Sequence, residues 1–315
     1  MKYKKYLIKI SQQIKNYKTT IKVDSDKSIS IRSFLISSIS HDVSKISNAL
    51  DSEDVQSTID CLKKLGVKIK LLRKKCEIKG VGINGFKYKK NIILNAGNSG
   101  TLSRLILGLL IHSKNKIKII GDKSLSKRDF YRITDPLKKF GAKFQTNYGK
   151  LPIIIKGTKN PQPIKYNEKR GSAQCKSAVM LAAINTKGQT FIKARKSRNH
   201  TELLFKYLKL PIKVTKKQKF DLIKIKGKNK IRSFNYNIPS DISSSAFFIA
   251  LTALSLGSKL KIKNVNINPS REGSIKIFRM MGIKVHFKNI RNYKGERIAD
   301  ICVKSTKLLK AIKCP

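Results

Sequence analysis

The strongest constraint on the fold is a repeat in the sequence with a period of about 72 residues. In each copy, a helix-like segment ends in an apolar pair, a turn residue follows, and a short strand of alternating polar and apolar residues comes next. The turn residues are Gly66, Gly141, Pro211 and Gly282. A second marker, a run of small polar residues that leads into an apolar stretch, begins near Lys27, Asn98, Ser172 and Asp241. Because two independent markers share one period, we interpret the chain as four copies of one structural unit.

Each copy predicts the order strand, helix, strand, helix, strand, strand. The last strand ends in Lys-Gly in three copies, at Gly80, Gly157 and Gly227. Strands that alternate with helices indicate an α/β fold of the mixed α+β kind, in which helices pack against sheets. The apolar positions of the first helix fall on one face at helical spacing, at Ile29, Phe34, Leu35 and Ile39. We therefore expect that helix to bury one face.

The charge of the chain raises the question of nucleic-acid binding. The formal net charge is +52, from 70 Lys and Arg residues against 18 Asp and Glu residues. The lysines are spread over the whole length, there is no tryptophan, and no RNA-binding signature is present. We therefore expect no nucleic-acid partner, although charge alone keeps that alternative open. A positive field also raises the encounter rate of small polyanionic substrates, which is compatible with a general bias toward lysine.

The cysteines and the hydropathy of the chain bear on its location. The five cysteines are Cys61, Cys76, Cys175, Cys302 and Cys314. Their number is odd and no C-x-x-C pair occurs, which favours a reducing, cytoplasmic compartment. No apolar run reaches the roughly 18 residues of a membrane span, so no membrane association is expected. The start, Met1–Ile10, alternates apolar and charged residues, and this predicts a strand rather than a signal peptide.

The first helix starts with groups that suit an anion. Lys27 and Ser28 follow Asp26, and Arg32 comes one turn later. Backbone N–H groups at a helix start are unpaired and carry partial positive charge, so these side chains can complete an anion cradle. The alternative is an ordinary capped helix with solvated basic neighbours.

The second unit repeats the pattern with glycines. Asn98, Ser99, Gly100 and Thr101 precede Arg104. Glycine lets the backbone approach a ligand closely, and the hydroxyl groups add donors. A plain glycine-rich turn between a strand and a helix would contain the same residues.

The third unit places Ser172, Gln174 and Lys176 in one opening turn. The alternative here is a capped helix that is otherwise buried. A later loop, 197–202, precedes another helix. We expect His200 in that loop to be a surface or capping histidine, because no Cys or Asp partner has the spacing of a nucleophile.

The same kinds of polar group recur at equivalent places in successive units, and this recurrence predicts a binding site. Equivalent helix starts in three successive units carry hydroxyl, amide or cationic groups. If these units pack around a pseudo-threefold axis, their helix starts converge on one cleft. Such a cleft suits a small molecule that carries phosphate and carboxylate groups.

Six motifs in a fixed order carry a resemblance over essentially the whole chain. They occupy residues 26–32, 97–101, 124–128, 172–178, 197–202 and 239–246. Together they resemble the enolpyruvyl transferase family and, within it, the 3-phosphoshikimate 1-carboxyvinyltransferases. The resemblance implies transfer of the enolpyruvyl group of phosphoenolpyruvate to the 5-hydroxyl of shikimate 3-phosphate, with release of phosphate. It implies a monomeric enzyme that needs no metal and no organic cofactor.

The resemblance also implies a domain organisation. The family has two domains, each an inverted α/β-barrel-like prism of three β-α-β-α-β-β units, with the active site between them. Residues 21–235 would form one complete domain with most of the shikimate 3-phosphate site. Residues 1–20 and 236–315 would form part of the second domain, with one unit of three. We therefore expect a truncated chain that is inactive alone, because the family's general base lies in the later units.

Site residues follow from the matched motifs. The residues implied for shikimate 3-phosphate are Lys27, Ser28, Arg32, Ser172, Ala173, Gln174 and Arg198. Those implied for phosphoenolpyruvate are Lys27, Asn98, Gly100, Arg128 and Gln174. Lys27, between the two anions, is the one residue with an implied catalytic role.

Some positions depart from the family pattern. Ser25 and Ser240 stand where glycine is usual, Ile31 replaces His or Asn, and Asp129 replaces a Pro after Arg128. An acidic neighbour of Arg128 is expected to weaken the binding of phosphoenolpyruvate. Two alternatives remain at this stage, namely a UDP-N-acetylglucosamine 1-carboxyvinyltransferase and a non-catalytic module that binds a phosphorylated ligand.

Overall fold

The computed structural model describes residues 9, 11, 15–73, 75–227 and 230–313. The strand expected over Met1–Ile10 and the thiol of Cys314 lie outside the described residues, apart from Lys9. The described chain contains four copies of the predicted unit. The predicted order of strands and helices is confirmed, with one additional short helix in the second unit.

The helices and strands of the first two units have the following bounds. The first unit comprises β1 (Lys18–Ile21), α1 (Lys27–Ser38), β2 (Val43–Ser47), α2 (Glu53–Lys64), β3 (Lys68–Leu72) and β4 (Lys75–Lys79). The second comprises β5 (Ile92–Asn95), α3 (Gly100–Leu109), β6 (Ile117–Ile120), α4 (Lys123–Ser126), α5 (Tyr131–Lys138), β7 (Lys143–Asn147) and β8 (Lys150–Lys156). A short 3₁₀ turn, Leu110–His112, follows α3.

The third and fourth units follow the same order. The third comprises β9 (Lys165–Glu168), α6 (Ala173–Ile184), β10 (Gln189–Arg195), α7 (His200–Tyr207), β11 (Ile212–Lys216) and β12 (Phe220–Lys226). The fourth comprises β13 (Asn235–Asn237), α8 (Ile242–Leu254), β14 (Lys259–Asn266), α9 (Gly273–Met280), β15 (Lys284–Tyr293) and β16 (Glu296–Lys304). A 3₁₀ turn, Pro269–Arg271, lies between β14 and α9.

Four mixed sheets of four strands form from these units. In the second and third units, the first strand runs parallel to the second, and the other two strands are antiparallel, in the orders β5-β6-β8-β7 and β9-β10-β12-β11. The first and fourth units exchange their first strands. Strand β13 pairs with β2, and β1 pairs with β14, both in parallel.

The exchange of strands requires the chain to cross twice between the first and the fourth units. The two crossing segments bind each other through the Asp26 N–H to the Pro239 carbonyl and the Asp241 N–H to the Asp24 carbonyl, both at 2.8 Å. Ser240 also donates its hydroxyl to the Val23 carbonyl at 3.1 Å. The two crossing segments therefore form one joint.

The apolar core is divided in the same way. One cluster of buried residues contains side chains from the first three units and from β13, and it ends at Ile238. A second cluster belongs to the rest of the fourth unit and includes Val23 from the first crossing segment. The division into domains at residues 21 and 235 stays a prediction. The two clusters support such a division a few residues later, after Val23 and after Ile238.

The first helices of the first three units are buried on nearly all faces. Ten of twelve residues are buried in α1 and in α6, and nine of ten in α3. The expectation of one buried face for α1 was therefore incomplete, because small serines such as Ser33 and Ser37 occupy its other faces. In contrast, only five of thirteen residues are buried in α8.

The Lys-Gly marker has a steric cause. A Cβ atom at Gly80 would lie 2.1 Å from the Ser40 carbonyl oxygen, which follows α1. Gly157 and Gly227 occupy the same place after α3 and α6, where a Cβ would lie 2.3 Å and 1.8 Å from backbone atoms. Each last strand thus ends against a helix C-terminus that leaves no room for a side chain.

The turn residue identified from the sequence is the helix-ending residue in the first, second and fourth units. In the third unit, the sequence alignment chose the wrong residue. Gly66, Gly141 and Gly282 follow helix ends with φ of 87°, 102° and 90°. In the third unit, Lys209 adopts the left-handed conformation with φ of 55°, two residues before Pro211. Proline cannot adopt a positive φ, so the helix end that closes α7 is at Lys209.

We expect Gly80→Ala to lower the free energy of unfolding by about 1–3 kcal/mol or more, because the Ser37 and Ser40 carbonyl oxygens cannot both move. Gly273→Ala is the matched control, since a Cβ there meets no heavy atom within 4 Å. Urea titrations of both variants measure the difference. An equal effect at both positions would contradict the steric explanation.

Candidate functional site

The starts of α1, α3 and α6 open into one cavity of about 410 Å³. Its lining residues are Ser28, Arg32, Thr101, Gly171, Ser172, Ala173, Gln174, Ser197, Arg198 and Ser270. A larger cavity of about 570 Å³ lies beside the C-terminal end of α3 and contains none of the predicted site residues. The structure therefore brings helix starts from three units together, and a residue of the fourth unit, Ser270, lies with them.

Each of these helices has a side-chain cap. Asp26 Oδ1 accepts the Ile29 N–H at 2.9 Å, and Ser172 Oγ accepts the Cys175 N–H at 3.3 Å. Ser99 caps α3 through the Leu102 N–H at 3.3 Å. These caps leave earlier N–H groups of the first turns without intrahelical partners, and they are available to an anion.

Arg32 is a buried cation at the floor of the cavity. Its Nε donates to Thr201 Oγ1 at 2.9 Å, and its two Nη atoms donate to the Ser28 carbonyl at 2.9 Å and to Ser177 Oγ at 3.3 Å. Burial lowers the pKa of Arg32 to about 10, although the charge of Glu202 opposes that change. Arg32 therefore remains charged at neutral pH in a fixed orientation.

Gln174 is held at both ends of its amide. Its Oε1 accepts a short hydrogen bond from Arg104 Nη1, and its Nε2 donates to Thr101 Oγ1 at 3.1 Å. The Arg104 guanidinium lies 5.3 Å from the centre of the Phe130 ring. Burial, and then the charges of Arg132 and Arg128, lower the pKa of Arg104 to about 10. Gln174 thus joins α6 to α3 at the cavity.

The residues implied for phosphoenolpyruvate lie around the start of α3. A Cβ atom on Gly100 would lie 2.8 Å from Arg128 Nη1 and 3.1 Å from Arg104 Nη1, so glycine permits both guanidinium groups to approach. Asn98 Nδ2 donates to Asp122 Oδ2 at 2.5 Å. Because Asp122 also caps α4 through the Leu125 N–H at 2.6 Å, Asn98 ties the α3 turn to the segment before Arg128.

The expected effect of Asp129 on Arg128 has no support in the contacts. Asp129 Oδ1 accepts the Tyr131 N–H at 2.8 Å, and its Oδ2 pairs with Arg170 Nη1 at 3.7 Å. Both oxygens are directed to other groups. Among the described residues, no carboxylate pairs with Arg128.

Lys27 lies at the edge of the site. Its ammonium pairs with Asp54 Oδ2 at 3.4 Å, and its side chain is 48% exposed. It does not line the cavity that contains Ser28 and Arg32. Contact with a ligand would require Lys27 to exchange Asp54 for that ligand.

Lys176 does not face the cavity. Its side chain is fully buried, and its Nζ lies 2.6 Å from Glu202 Oε1, which is also buried. Of the three polar residues in that opening turn, Ser172 and Gln174 line the cavity and Lys176 does not. Instead, this ion pair joins α6 to α7, and Ser177 and Thr201 add a hydrogen bond of 2.7 Å between the same two helices.

His200 is buried, and the described start of α7 has no side-chain cap, so the interpretation of His200 as a surface or capping histidine was wrong. Its Nδ1 lies 2.7 Å from Glu296 Oε1. Glu296 Oε2 accepts the side-chain amides of Asn266 and Asn268, both at 3.0 Å. These contacts lower the pKa of Glu296 below its usual value of 4.5, against the opposing effect of its burial. The pair connects the third unit to the fourth.

Ser197 and Ser270 line the cavity, but the sequence assigned neither of them a role. Ser197 has a buried hydroxyl that makes no hydrogen bond within the described part of the chain. Ser270 donates to Asn268 Oδ1 at 2.7 Å. Thr101, a hydroxyl donor expected from the sequence, holds Gln174. The motif 197–202 contained Ser197, so that residue could have been found. Ser270 had no signal, because its position depends on packing between the third and fourth units.

The repeated βαβαββ architecture and the convergent helix starts agree with what the resemblance to the enolpyruvyl transferases implies. Comparison with known proteins identifies the particular family. The family model of EPSP synthase (3-phosphoshikimate 1-carboxyvinyltransferase) matches residues 11–312. The chain belongs to this EPSP synthase family. Members of the family transfer the enolpyruvyl group of phosphoenolpyruvate to shikimate 3-phosphate.

Individual relatives agree with this assignment. The chain is 42% identical over 296 residues to the 3-phosphoshikimate 1-carboxyvinyltransferase of Ruthia magnifica. The aligned residues make up 94% of this chain and 67% of the relative. The enzyme of Caldicellulosiruptor bescii is 39% identical over 91% of this chain and 66% of the relative. EPSP synthase from Acinetobacter baumannii superposes with a TM-score of 0.85 at 35% identity, over 96% of this chain and 67% of that structure. The chain thus spans about two thirds of the length of these relatives.

We expect Lys176→Met to lower the free energy of unfolding by about 3–5 kcal/mol, because it leaves Glu202 charged, buried and without its cation. The double variant Lys176→Met/Glu202→Leu should recover most of that loss. Urea unfolding of the two single variants and the double variant closes the cycle. Equal instability of Lys176→Met and the double variant would contradict a specific ion pair.

Because the pKa of Glu296 is lowered in the folded protein, we expect the free energy of unfolding to fall at acid pH. Its pKa is lower in the folded state, so it stabilises the fold above its unfolded pKa and loses that contribution as the pH falls through the folded value. We expect Glu296→Gln to flatten the dependence of unfolding free energy on pH in the acid range. Urea titrations at intervals of about 0.5 pH unit, between roughly pH 6 and pH 3, test this expectation. An unchanged slope would contradict it.

Proposed function

We propose that this chain binds shikimate 3-phosphate in the cavity at the starts of α1, α3 and α6, with phosphoenolpyruvate beside it, for enolpyruvyl transfer. The observation that carries the proposal is the charge of the cavity. Its lining contains two arginines and several hydroxyl donors, and none of the described lining residues carries a carboxylate. Such a lining favours a phosphorylated hydroxylated ligand.

Shikimate 3-phosphate would be held from three sides. Ser172, Ala173 and Gln174 offer the start of α6 to its phosphate, where N–H groups and the helix dipole favour an anion. The proposed contacts from the other sides are Lys27, Ser28, Arg32 and Arg198. Arg32 donates three of its five N–H groups to the protein, which leaves two for a ligand.

Phosphoenolpyruvate would lie next to the start of α3. Arg128 and the backbone at Gly100 are the proposed contacts, and Gln174 lies between the two substrates. Asn98 supports this loop through Asp122. Arg128 has no carboxylate partner among the residues that the structure describes, so its guanidinium is available for bidentate binding.

Catalysis in this arrangement would be mainly electrostatic. Lys27 would move from Asp54 to a position between the two anions. There its ammonium, together with Arg128, stabilises negative charge that builds on the departing phosphate. Removal of the proton from the 5-hydroxyl needs a base, and no carboxylate is present among the described lining residues.

Several wider features belong to the same proposal. The two apolar clusters support a division of the chain into domains near residues 21 and 235. Four described cysteines, Cys61, Cys76, Cys175 and Cys302, are free thiols, which supports a cytoplasmic location. A monomer remains our expectation. In the described part of the chain, no helix is long and apolar enough to cross a bilayer, and no cluster of metal-ligating side chains occurs.

A calorimetric titration with shikimate 3-phosphate tests the substrate assignment. We expect saturable binding that requires the phosphate, so shikimate should bind at least about tenfold more weakly. Arg198→Met should weaken binding of shikimate 3-phosphate, whereas the matched control Arg291→Met, on exposed β15, should leave it unchanged. Binding of UDP-N-acetylglucosamine in place of shikimate 3-phosphate would overturn the assignment.

Turnover is a separate prediction. We expect the 315-residue chain to release phosphate from the two substrates at a rate at least about a thousandfold below that of a full-length relative, because the cavity lacks a described base. A coupled phosphate assay with both proteins measures the ratio. Comparable rates would show that a base is supplied from elsewhere in this chain.

A further inference from the structure

Arg271 joins two carboxylates that cap equivalent helices in different units. It lies at the end of the 3₁₀ turn Pro269–Arg271, and its side chain is 4% exposed. Its Nη1 pairs with Asp26, the cap of α1. Its Nη2 lies 2.9 Å from Asp241 Oδ1, the cap of α8, and donates to Ser243 Oγ at 2.7 Å. One guanidinium therefore pairs with two buried carboxylates at once.

Arg198 is the next cation to this group. It lines the cavity beside Ser270, the residue before Arg271. The pKa of Arg198 is lowered, first by partial removal from solvent and then by the charge of Arg271, whereas Asp26 and Asp241 raise it. Both carboxylates thus act on Arg198 through space. Within the described residues, the Arg198 guanidinium forms no hydrogen bond and no ion pair.

We propose that Arg271 is a positioning residue that keeps Arg198 free for the anionic substrate by occupying the Asp26 and Asp241 carboxylates. Two buried carboxylates without a cation would be strongly unfavourable. The charge of Asp26 acts on Arg32 as well, but three hydrogen bonds within the protein hold that guanidinium. We therefore expect Arg198 to be the cation that pairs with them. In that state Arg198 would turn away from the cavity, and the two carboxylates would face the ligand phosphate. The identity of the ligand rests on the function proposed above, but the position of Arg198 does not.

The arrangement explains why two acidic caps are tolerated beside an anion site. Asp and Asn are both good caps, so the caps alone do not require carboxylates. A carboxylate near a phosphate site repels the ligand unless a cation screens it at short range. Because Arg271 binds both carboxylates at once, the net charge of the three groups is −1, and Arg198 brings the local sum to zero before the ligand arrives.

Three variants separate this role from simple support of the fold. Arg271→Met removes the guanidinium and should raise the dissociation constant for shikimate 3-phosphate by about tenfold or more. The triple variant Asp26→Asn/Asp241→Asn/Arg271→Met removes both carboxylates as well and keeps the caps. It should return the dissociation constant to within about threefold of the parent chain. Arg291→Met is the control for loss of an exposed guanidinium in the same unit.

A purely structural role for Arg271 makes a different prediction. In that case the triple variant would bind shikimate 3-phosphate as weakly as Arg271→Met or more weakly, and that result would overturn the proposal. Melting temperatures identify any variant that does not fold. If Arg271→Met is unfolded, Arg271→Lys replaces it, because one ammonium cannot bind both carboxylates bidentately and should give an intermediate loss.

A crystal structure of ligand-free Arg271→Met, or of Arg271→Lys if the former does not fold, gives a test that does not need binding. We expect the Arg198 guanidinium within hydrogen-bonding distance of Asp26 or Asp241 in that structure. An Arg198 that stays in the cavity, with both carboxylates bound by other groups, overturns the proposal. If the parent chain binds no shikimate 3-phosphate, the proposed function fails, and the position of Arg198 still decides this inference.

Discussion

The structure depends on the burial of three equivalent helices against one another. Helices α1, α3 and α6 have almost no exposed residues, and a Cβ at Gly108 of α3 would lie only 2.2 Å from the Ala178 carbonyl oxygen of α6. Helices that approach as closely as α3 and α6 require small residues, which explains the alanines along α6. Once the three helices lie side by side, their starts meet in one place. The anion cavity is thus a geometric consequence of the core.

This dependence of the site on the core explains the unusual polar contacts beneath the cavity. Arg32 reaches Ser177 and Thr201, and Lys176 reaches Glu202, so buried polar bonds connect α1, α6 and α7. Such bonds are costly to break, because each partner would be left buried and unsatisfied. They fix the side chains at the cavity floor before a ligand binds, which reduces the entropy that binding must overcome.

Much of the fold could be predicted from the sequence, since repeat markers report local structure. The helix starts near Lys27, Asn98, Ser172 and Asp241 agree with the structure to within two residues. The roles of Lys176 and His200 could not be predicted in this way, because each depends on a partner distant in the chain, Glu202 and Glu296. In the third unit, Pro211 was aligned with the turn glycines of the other units. The residue with the left-handed backbone conformation is Lys209, two positions earlier.

The distribution of charge distinguishes the site from the surface. Most of the excess of +52 comes from lysines on exposed strands and loops, such as those of β8 and β10. The cations that line the cavity are the arginines Arg32 and Arg198. Arg32 and the neighbouring Arg104 are each 4% exposed. Guanidinium groups are less strongly hydrated than ammonium groups and hold several hydrogen bonds in one plane, so they tolerate burial better. Burying them close together also brings acidic neighbours close, and Asp26 and Asp241 would compete with any anionic substrate if Arg271 did not bind them. The proposed selectivity of the cavity for a phosphorylated ligand would therefore depend on how the buried carboxylates are paired as much as on how many cations line it.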